Sequence, residues 1–307
     1  MNNKGFTLME ILGVITLLAI ISLIIILSVN KSLKDSKETL YQQQLEEIKA
    51  AANMWKTDNI ELIPNEDYYI VSLQQLKEQG YIKGDIINPK TDELFDNITV
   101  GVGMNDIKID TIENLLTNNG YTRLDYIKST GTQYIDTDIS YDENNEYIIE
   151  CDVAATTTNS KYSGWNGGGI FGVSYTKWGD GIGYTEKLYD VLQKTKIKLT
   201  IEKDLSSATV MEMTQDNLYD TIKRRHDNIA QYTNLNYPIF AYTNNNDLKG
   251  FISMKLWYMK ISVNNNIVRD FIPCLRKSDN EPGLYDMVNN KFYTNDGTGS
   301  FEYGELN

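Results

Sequence analysis

Hydrophobic positions divide the chain into stretches with different periods. Between Ile11 and Val29 only Gly13, Thr16, Ser22 and Ser28 interrupt an apolar run of 19 residues. At ~1.5 Å rise per residue the run nearly matches a ~30 Å hydrocarbon core, so it is long enough to span a bilayer. Glu10 stands in the first turn of this segment. A carboxylate in hydrocarbon costs roughly 2.5–3.5 kcal/mol on insertion scales, which a partner or neutralisation has to offset. Further on, Leu33, Leu40, Tyr41, Leu45, Ile48, Ala52 and Trp55 recur at spacings of three, four and seven, with Lys, Asp, Glu and Gln opposite. That stripe predicts one helix from about residue 6 to 58, whose second half leaves the membrane and packs on the next segment of the chain.

The period then shortens. Ser72 and Gln75 form a capping-box pattern, Leu73 and Leu76 point one way and Gly80 suits a C-terminal cap, so a short helix is predicted over 72–79. Asn88-Pro89 marks a turn, and "NITVGVG" and "DIKIDTI" read as two short strands. The stretch "ENLLTNNGYTRL" is polar and turn-rich, which places a domain boundary near Asn118–Gly120. Downstream, short alternating runs such as "EYIIECDVA", "KIKLTIE" and "GFISMKLWYMKISV" sit between Gly, Asn and Asp turns. They predict a β-sandwich, with Asn264–Asn266 as a tight hairpin connection. The expected fold is an α+β module of a long helix and small sheet, followed by an all-β sandwich.

Composition removes several classes. A net charge of −13 and a pI of about 4.6 oppose phosphate backbones, and the basic cluster Lys223-Arg224-Arg225-His226 is short, so no nucleic-acid partner is expected. Cys151 and Cys274 have no zinc-ligand spacing, and no metal site is expected. They are either one disulfide or two separate buried thiols.

The stretch Lys4-Gly5-Phe6-Thr7-Leu8-Met9-Glu10, followed by Ile11-Leu12-Gly13-Val14-Ile15, resembles the N-terminus of type IV pilins and pseudopilins. The resemblance implies a prepilin peptidase that cuts after Gly5 and methylates the new amine of Phe6. It also implies that Glu10 pairs with a subunit's N-terminal amine among other pilin subunits, which would recover much of its desolvation cost. A secretory signal would end in small residues at a cleavage site, whereas this run ends "IILSVNKSLKDS". A plain anchor leaves Glu10 and the "MNNKG" leader unexplained. Many family members carry a proline later in the apolar helix, and none occurs here. The phrase "SLQQLKEQGYIKGDIINPKT" also resembles the region after the first helix in pilin-like proteins of Gram-positive bacteria. The expected divisions are leader 1–5, membrane and filament-core helix 6–29, pilin-like module 30–118 and sandwich 119–307. Before processing the chain would cross the membrane once with its N-terminus cytoplasmic, and then stand in an extracellular filament.

The segments "YIKSTGTQYIDTDI" and "LWYMKISVNNNIVRDFIPCLRKSDNEPGLYDMVNNKFYTNDGTGSF" are similar to LamG-like, concanavalin A-like jelly rolls. That similarity implies a lectin-like scaffold, often with a carbohydrate ligand, and no particular sugar. Trp165, Tyr175, Trp178 and Tyr184 lie in or near glycine-rich loops and are the candidate ligand-binding residues, although large aromatics also fill sandwich cores. Glucanases of this superfamily need clustered carboxylates on one strand face. Glu146, Glu150 and Asp152 begin such a pattern, but Val153, Ala154 and Ala155 stand where a third acid belongs. His226 lacks a nucleophile partner, and the glycine-rich loops lack a dinucleotide pattern. No enzyme and no cofactor are expected. "DTDISYDENNEY" offers oxygen ligands for calcium without the spacing of a calcium loop. The expected function is a minor pilin-like surface subunit displaying a lectin-like domain for adhesion. The alternatives are a pseudopilin of a secretion or DNA-uptake system and a membrane-tethered glycan-processing enzyme.

Overall fold

The computed structural model describes residues 7–95, 98–140, 142, 144–155, 169–174, 181–184, 193–201, 208–215, 218–225, 236–244, 247–249 and 251–306. For residues 23–28, 155, 169–174, 181–184, 208–215, 218–225, 242–244, 247 and 249 only the backbone is described. The chain forms two compact units, Met1–Asn65 with Ser72–Thr111, and Glu66–Val71 with Ile112–Asn307.

Helix α1 (Leu8–Asp58) dominates the first unit. It is followed by β1 (Tyr69–Ser72), α2 (Leu73–Glu78), β2 (Ile87–Asn88), β3 (Glu93–Leu94), β4 (Thr99–Val102) and β5 (Ile107–Asp110). The predicted long helix, short helix and strand pair are all present. Ser72 caps α2 reciprocally with Gln75, and Gly80 takes the left-handed conformation that ends it, at φ +82°. In α1 the stripe is selective. Ile48, Ala51, Ala52 and Trp55 are buried, whereas Leu33 and Leu40 are exposed. The Trp55 indole donates to Gln79 at 2.7 Å, and the Lys56 ammonium donates to the carbonyls of Gly103 at 2.7 Å and Met104 at 2.6 Å. Farther up α1, Lys90 pairs with Glu38 at 2.8 Å and lies 3.7 Å from the Tyr41 ring, which in turn packs on Phe95. Apolar burial at one end of the helix and charge pairing higher up thus hold the small strands against α1.

The second unit takes in β1 as far as Val71 and resumes with α3 (Ile112–Asn118). This corrects the polar, turn-rich reading of the segment from 113 onward. Leu115 and Leu116 are both fully buried, but two adjacent leucines are too few to reveal a helical period. The strands after it are β6 (Tyr121–Thr130), β7 (Ile135–Ser140), β8 (Tyr147–Ala155), β9 (Gly169–Ser174), β10 (Gly181–Tyr184) and β11 (Thr195–Ile201). Next come β12 (Ala208–Gln215), β13 (Leu218–Arg225), β14 (Asn236–Ile239), β15 (Tyr242–Asn244) and β16 (Asp247–Lys249). The last are β17 (Ser253–Val263), β18 (Asn266–Arg276), β19 (Glu281–Asp286), β20 (Lys291–Tyr293) and β21 (Glu302–Glu305).

Among the described residues they form a ten-stranded sheet, β13-β12-β11-β8-β17-β6-β18-β19-β20 with β21 on β6, and a six-stranded sheet, β16-β15-β9-β14-β7 with β10 on β9. Alternation sets the faces. Strand β11 buries Thr195, Ile197, Leu199 and Ile201 and turns Lys196 and Lys198 outward. The inward set joins Ile135, Ile139, Tyr237, Ile239 and Phe240 of the smaller sheet in one core, so the module is sandwich-like and mostly antiparallel, as the alternation predicts. Asn264 and Asn265, at φ 50° and 65°, make the two-residue turn between β17 and β18.

The large sheet also carries a second apolar layer on its other face. There Leu115 and Leu116 of α3 and Ile70 of β1 join Ile272, Cys274, Tyr285 and Met287. Cys274 belongs to this layer and Cys151 to the sandwich core, and both thiols are free and buried. That resolves the cysteine alternative in favour of separate thiols. Burial pushes Cys274 up to about 12 and Cys151 higher still, so neither is a reactive thiolate near neutrality.

Asp270 on β18 makes one stability prediction. Burial raises its carboxyl above the ordinary 3.8, Lys260 and the Tyr258 hydroxyl lower it, and Asp286 raises it again. Among the described residues its Oδ1 is buried without a hydrogen-bond partner. A carboxyl whose folded pKa is raised binds more protons folded than unfolded, so its contribution to stability is greatest at low pH and falls as pH rises from the unfolded value through the folded one. Asp270→Asn should therefore flatten the decline in urea midpoint across that window, and an unchanged slope would count against a strained carboxylate.

Candidate functional site

Two regions carry the residues singled out in the sequence. At the N-terminus, Thr7 caps α1 with extended backbone, φ −73° and ψ 152°. Its hydroxyl accepts the Glu10 N–H at 3.3 Å, while Glu10 Oε2 accepts the Thr7 N–H at 2.8 Å and the Thr7 hydroxyl at 2.9 Å. This reciprocal capping box starts the helix where the polar leader meets the apolar run. Sequence reasoning singled out Glu10 and missed Thr7, although T-x-x-E before an apolar run is the signature of such a box. Gly5 and Phe6 lie outside the described residues.

Along the next turns the apolar side chains are open on every side, from 43% exposure at Ile21 to 88% at Leu8. A helix apolar all round calls for lipid or neighbouring helices. Among the described residues no helix is long and apolar enough to cross a membrane, and the side chains of residues 23–28, inside the predicted span, are not among them.

In the second unit, Trp165, Tyr175 and Trp178 lie outside the described residues, as does His226. Tyr184 ends β10 opposite Gly169 of β9, and only its backbone is described. Asp152 reaches Lys194 at 3.5 Å. Glu150 is exposed, and its register places it between Lys198 on β11 and Lys260 on β17. Asp142 Oδ1 accepts both the backbone and side-chain N–H of Asn144 at 2.9 Å, folding that oxygen into its own turn. Among the described residues no three His, Cys, Asp or Glu side chains converge as metal ligands.

A family model for the prokaryotic N-terminal methylation motif matches residues 1–26. No curated protein and no solved structure matches the chain. The segment is thus of the type IV prepilin kind, and it supports a type IV pilin-like or pseudopilin-like protein, anchored in the membrane and then exposed at the surface. It implies processing by a prepilin peptidase and assembly with other pilins.

Proposed function

We propose that the chain is a minor subunit of a type IV pilin-like surface filament and that its sandwich is displayed for adhesion through a carbohydrate. The observation that carries this is the prepilin-type motif at the head of a 51-residue helix, followed along the chain by a large β module. A module of that size would crowd a repeated filament surface, which favours a rare or terminal subunit. The register of Glu150 between two lysines favours a binding surface over a pair of catalytic carboxylates. N-terminal mass spectrometry of chain isolated from its native membrane should return a first residue Phe6 with a methylated amine. An intact Met1, or cleavage anywhere other than after Gly5, would overturn the pilin reading.

A further inference from the structure

Strands β6 and β17 both break step on the outer face of the large sheet. On β6, Leu124 and Ile127 are buried in the sandwich core with Asp125 and Tyr126 between them, and on β17 the same holds for Leu256 and Met259 around Trp257 and Tyr258. Register locates the extra residues. Leu256 faces Val153 while Tyr258 faces Asp152, so Trp257 is an insertion opposite β8. Gly304 faces Tyr126 while Glu305 faces Leu124, so Asp125 is an insertion opposite β21. The β6–β17 pairing stops at Ile127 opposite Leu256, beside both. A bulge sacrifices ladder bonds and re-aims a side chain, and such bulges concentrate at functional sites.

The two inserted residues meet. The Trp257 indole N–H donates to Asp125 Oδ2 at 3.2 Å, and the Tyr126 and Trp257 rings lie 5.5 Å apart at 59°. A Cβ at Gly304 would fall 2.4 Å from Tyr126 Cε1, so the glycine lets the ring lie on the backbone of β21. Lys255 Nζ stands 4.1 Å from the Tyr126 ring centroid and 5.9 Å from that of Trp257.

Charge then narrows the partner. Lys255 faces Lys128 directly across the ladder, an unfavourable placement for like charges. Lys128 is relieved by Glu302 at 2.7 Å and Lys194, 5.2 Å from the Trp257 ring, by Asp152 at 3.5 Å. Among the described residues no carboxylate pairs with the Lys255 ammonium. Among the described residues, Lys255 is thus a cation without a carboxylate partner beside two half-buried rings, on a chain of net charge −13.

We infer that this double bulge binds a sugar ring bearing a carboxylate, as in a uronic-acid polysaccharide. The C–H face of the ring stacks on Trp257, the carboxylate pairs with Lys255 where it stands over Tyr126, and a hydroxyl donates to Asp125. The inference rests on the lectin-like reading and assigns its ligand to residues other than Trp165, Tyr175, Trp178 and Tyr184.

The test uses the full chain in detergent, oligogalacturonate as acidic probe, and its methyl ester as the same ring without the charge. Binding of the acid in preference to the ester is expected. Trp257→Ala should weaken acid binding roughly tenfold or more. Lys255→Gln should abolish the preference by lowering acid binding to the level of the ester, while Lys255→Arg retains the preference. Unaltered melting shows that a variant is folded, and should Trp257→Ala melt early, the lysine pair alone decides. Equal affinity for acid and ester, or Lys255→Gln indistinguishable from wild type, overturns the inference. If the chain binds only neutral glycans on an array, this site is wrong and the lectin-like reading stands. If it binds none at all, both fail.

Discussion

Glu10→Ala should leave membrane insertion intact and lower incorporation into sheared filaments about a hundredfold or more. Insertion is spared because removing a carboxylate from an apolar segment relieves a cost of roughly 2.5–3.5 kcal/mol. Assembly suffers because an ammonium at a subunit's new N-terminus would lose its partner, and breaking such a pair in a low dielectric costs about 3–5 kcal/mol, where each 1.4 is tenfold. The structure adds a second role that the test must separate. Glu10 also closes the capping box with Thr7, and losing a cap costs ~1 kcal/mol. Glutamine keeps an acceptor at that position and removes the charge. Glu10→Gln should therefore assemble as poorly as Glu10→Ala while starting the helix as well as wild type. If it assembles normally, by immunoblot of filament against membrane fractions, Glu10 acts as a cap and the pairing account is wrong.

Legibility in the sequence depends on the number of residues that carry each signal. Helix α1 is readable over its length because an apolar run and then a stripe both repeat along 51 residues. The cap of α2, the strand pair after it and the Asn264-Asn265 turn are readable because each depends on local chemistry at a fixed offset. Helix α3 escapes because its signal is two leucines, given meaning only by Ile272, Cys274 and Tyr285 far along the chain. The same limit applies to the second apolar layer, since Ile70 and Met287 meet through topology alone. The paired bulges lie between these extremes. Each leaves a mark, a buried apolar pair enclosing "DY" in one strand and "WY" in another, but neither breach of alternation announces that the two strands are neighbours. Glu10 is legible as an anomaly, and its partner Thr7 becomes visible only as the cap of the helix.

The second large effect is expected at Asp286, whose replacement by alanine should destabilise the sandwich module by about 3–5 kcal/mol. Its side chain is fully buried at the end of β19. Oδ1 accepts the N–H groups of Asp270 and Val288, each at 3.0 Å, and Oδ2 accepts Asn289 Nδ2 at 2.6 Å with Arg269 Nε at 3.7 Å. Alanine would strand two backbone donors and leave Arg269, itself largely buried, without its counter-ion. Those bonds shape the turn after β19, and the turn has a distant client. The Tyr69 hydroxyl donates to Val288 O at 2.8 Å, while Asn290 bonds both the N–H and the carbonyl of Ile70, at 2.5 and 3.0 Å. Asp286 therefore fixes the clasp that holds the segment 69–71 against α3 and the outer apolar layer. Asp286→Asn keeps an oxygen for the backbone donors and drops the ion pair, so it should cost roughly 1–3 kcal/mol. Urea midpoints of the full chain in detergent would rank the three proteins. An Asp286→Ala midpoint equal to that of wild type would show that the clasp carries no stability and that apolar packing alone retains the segment.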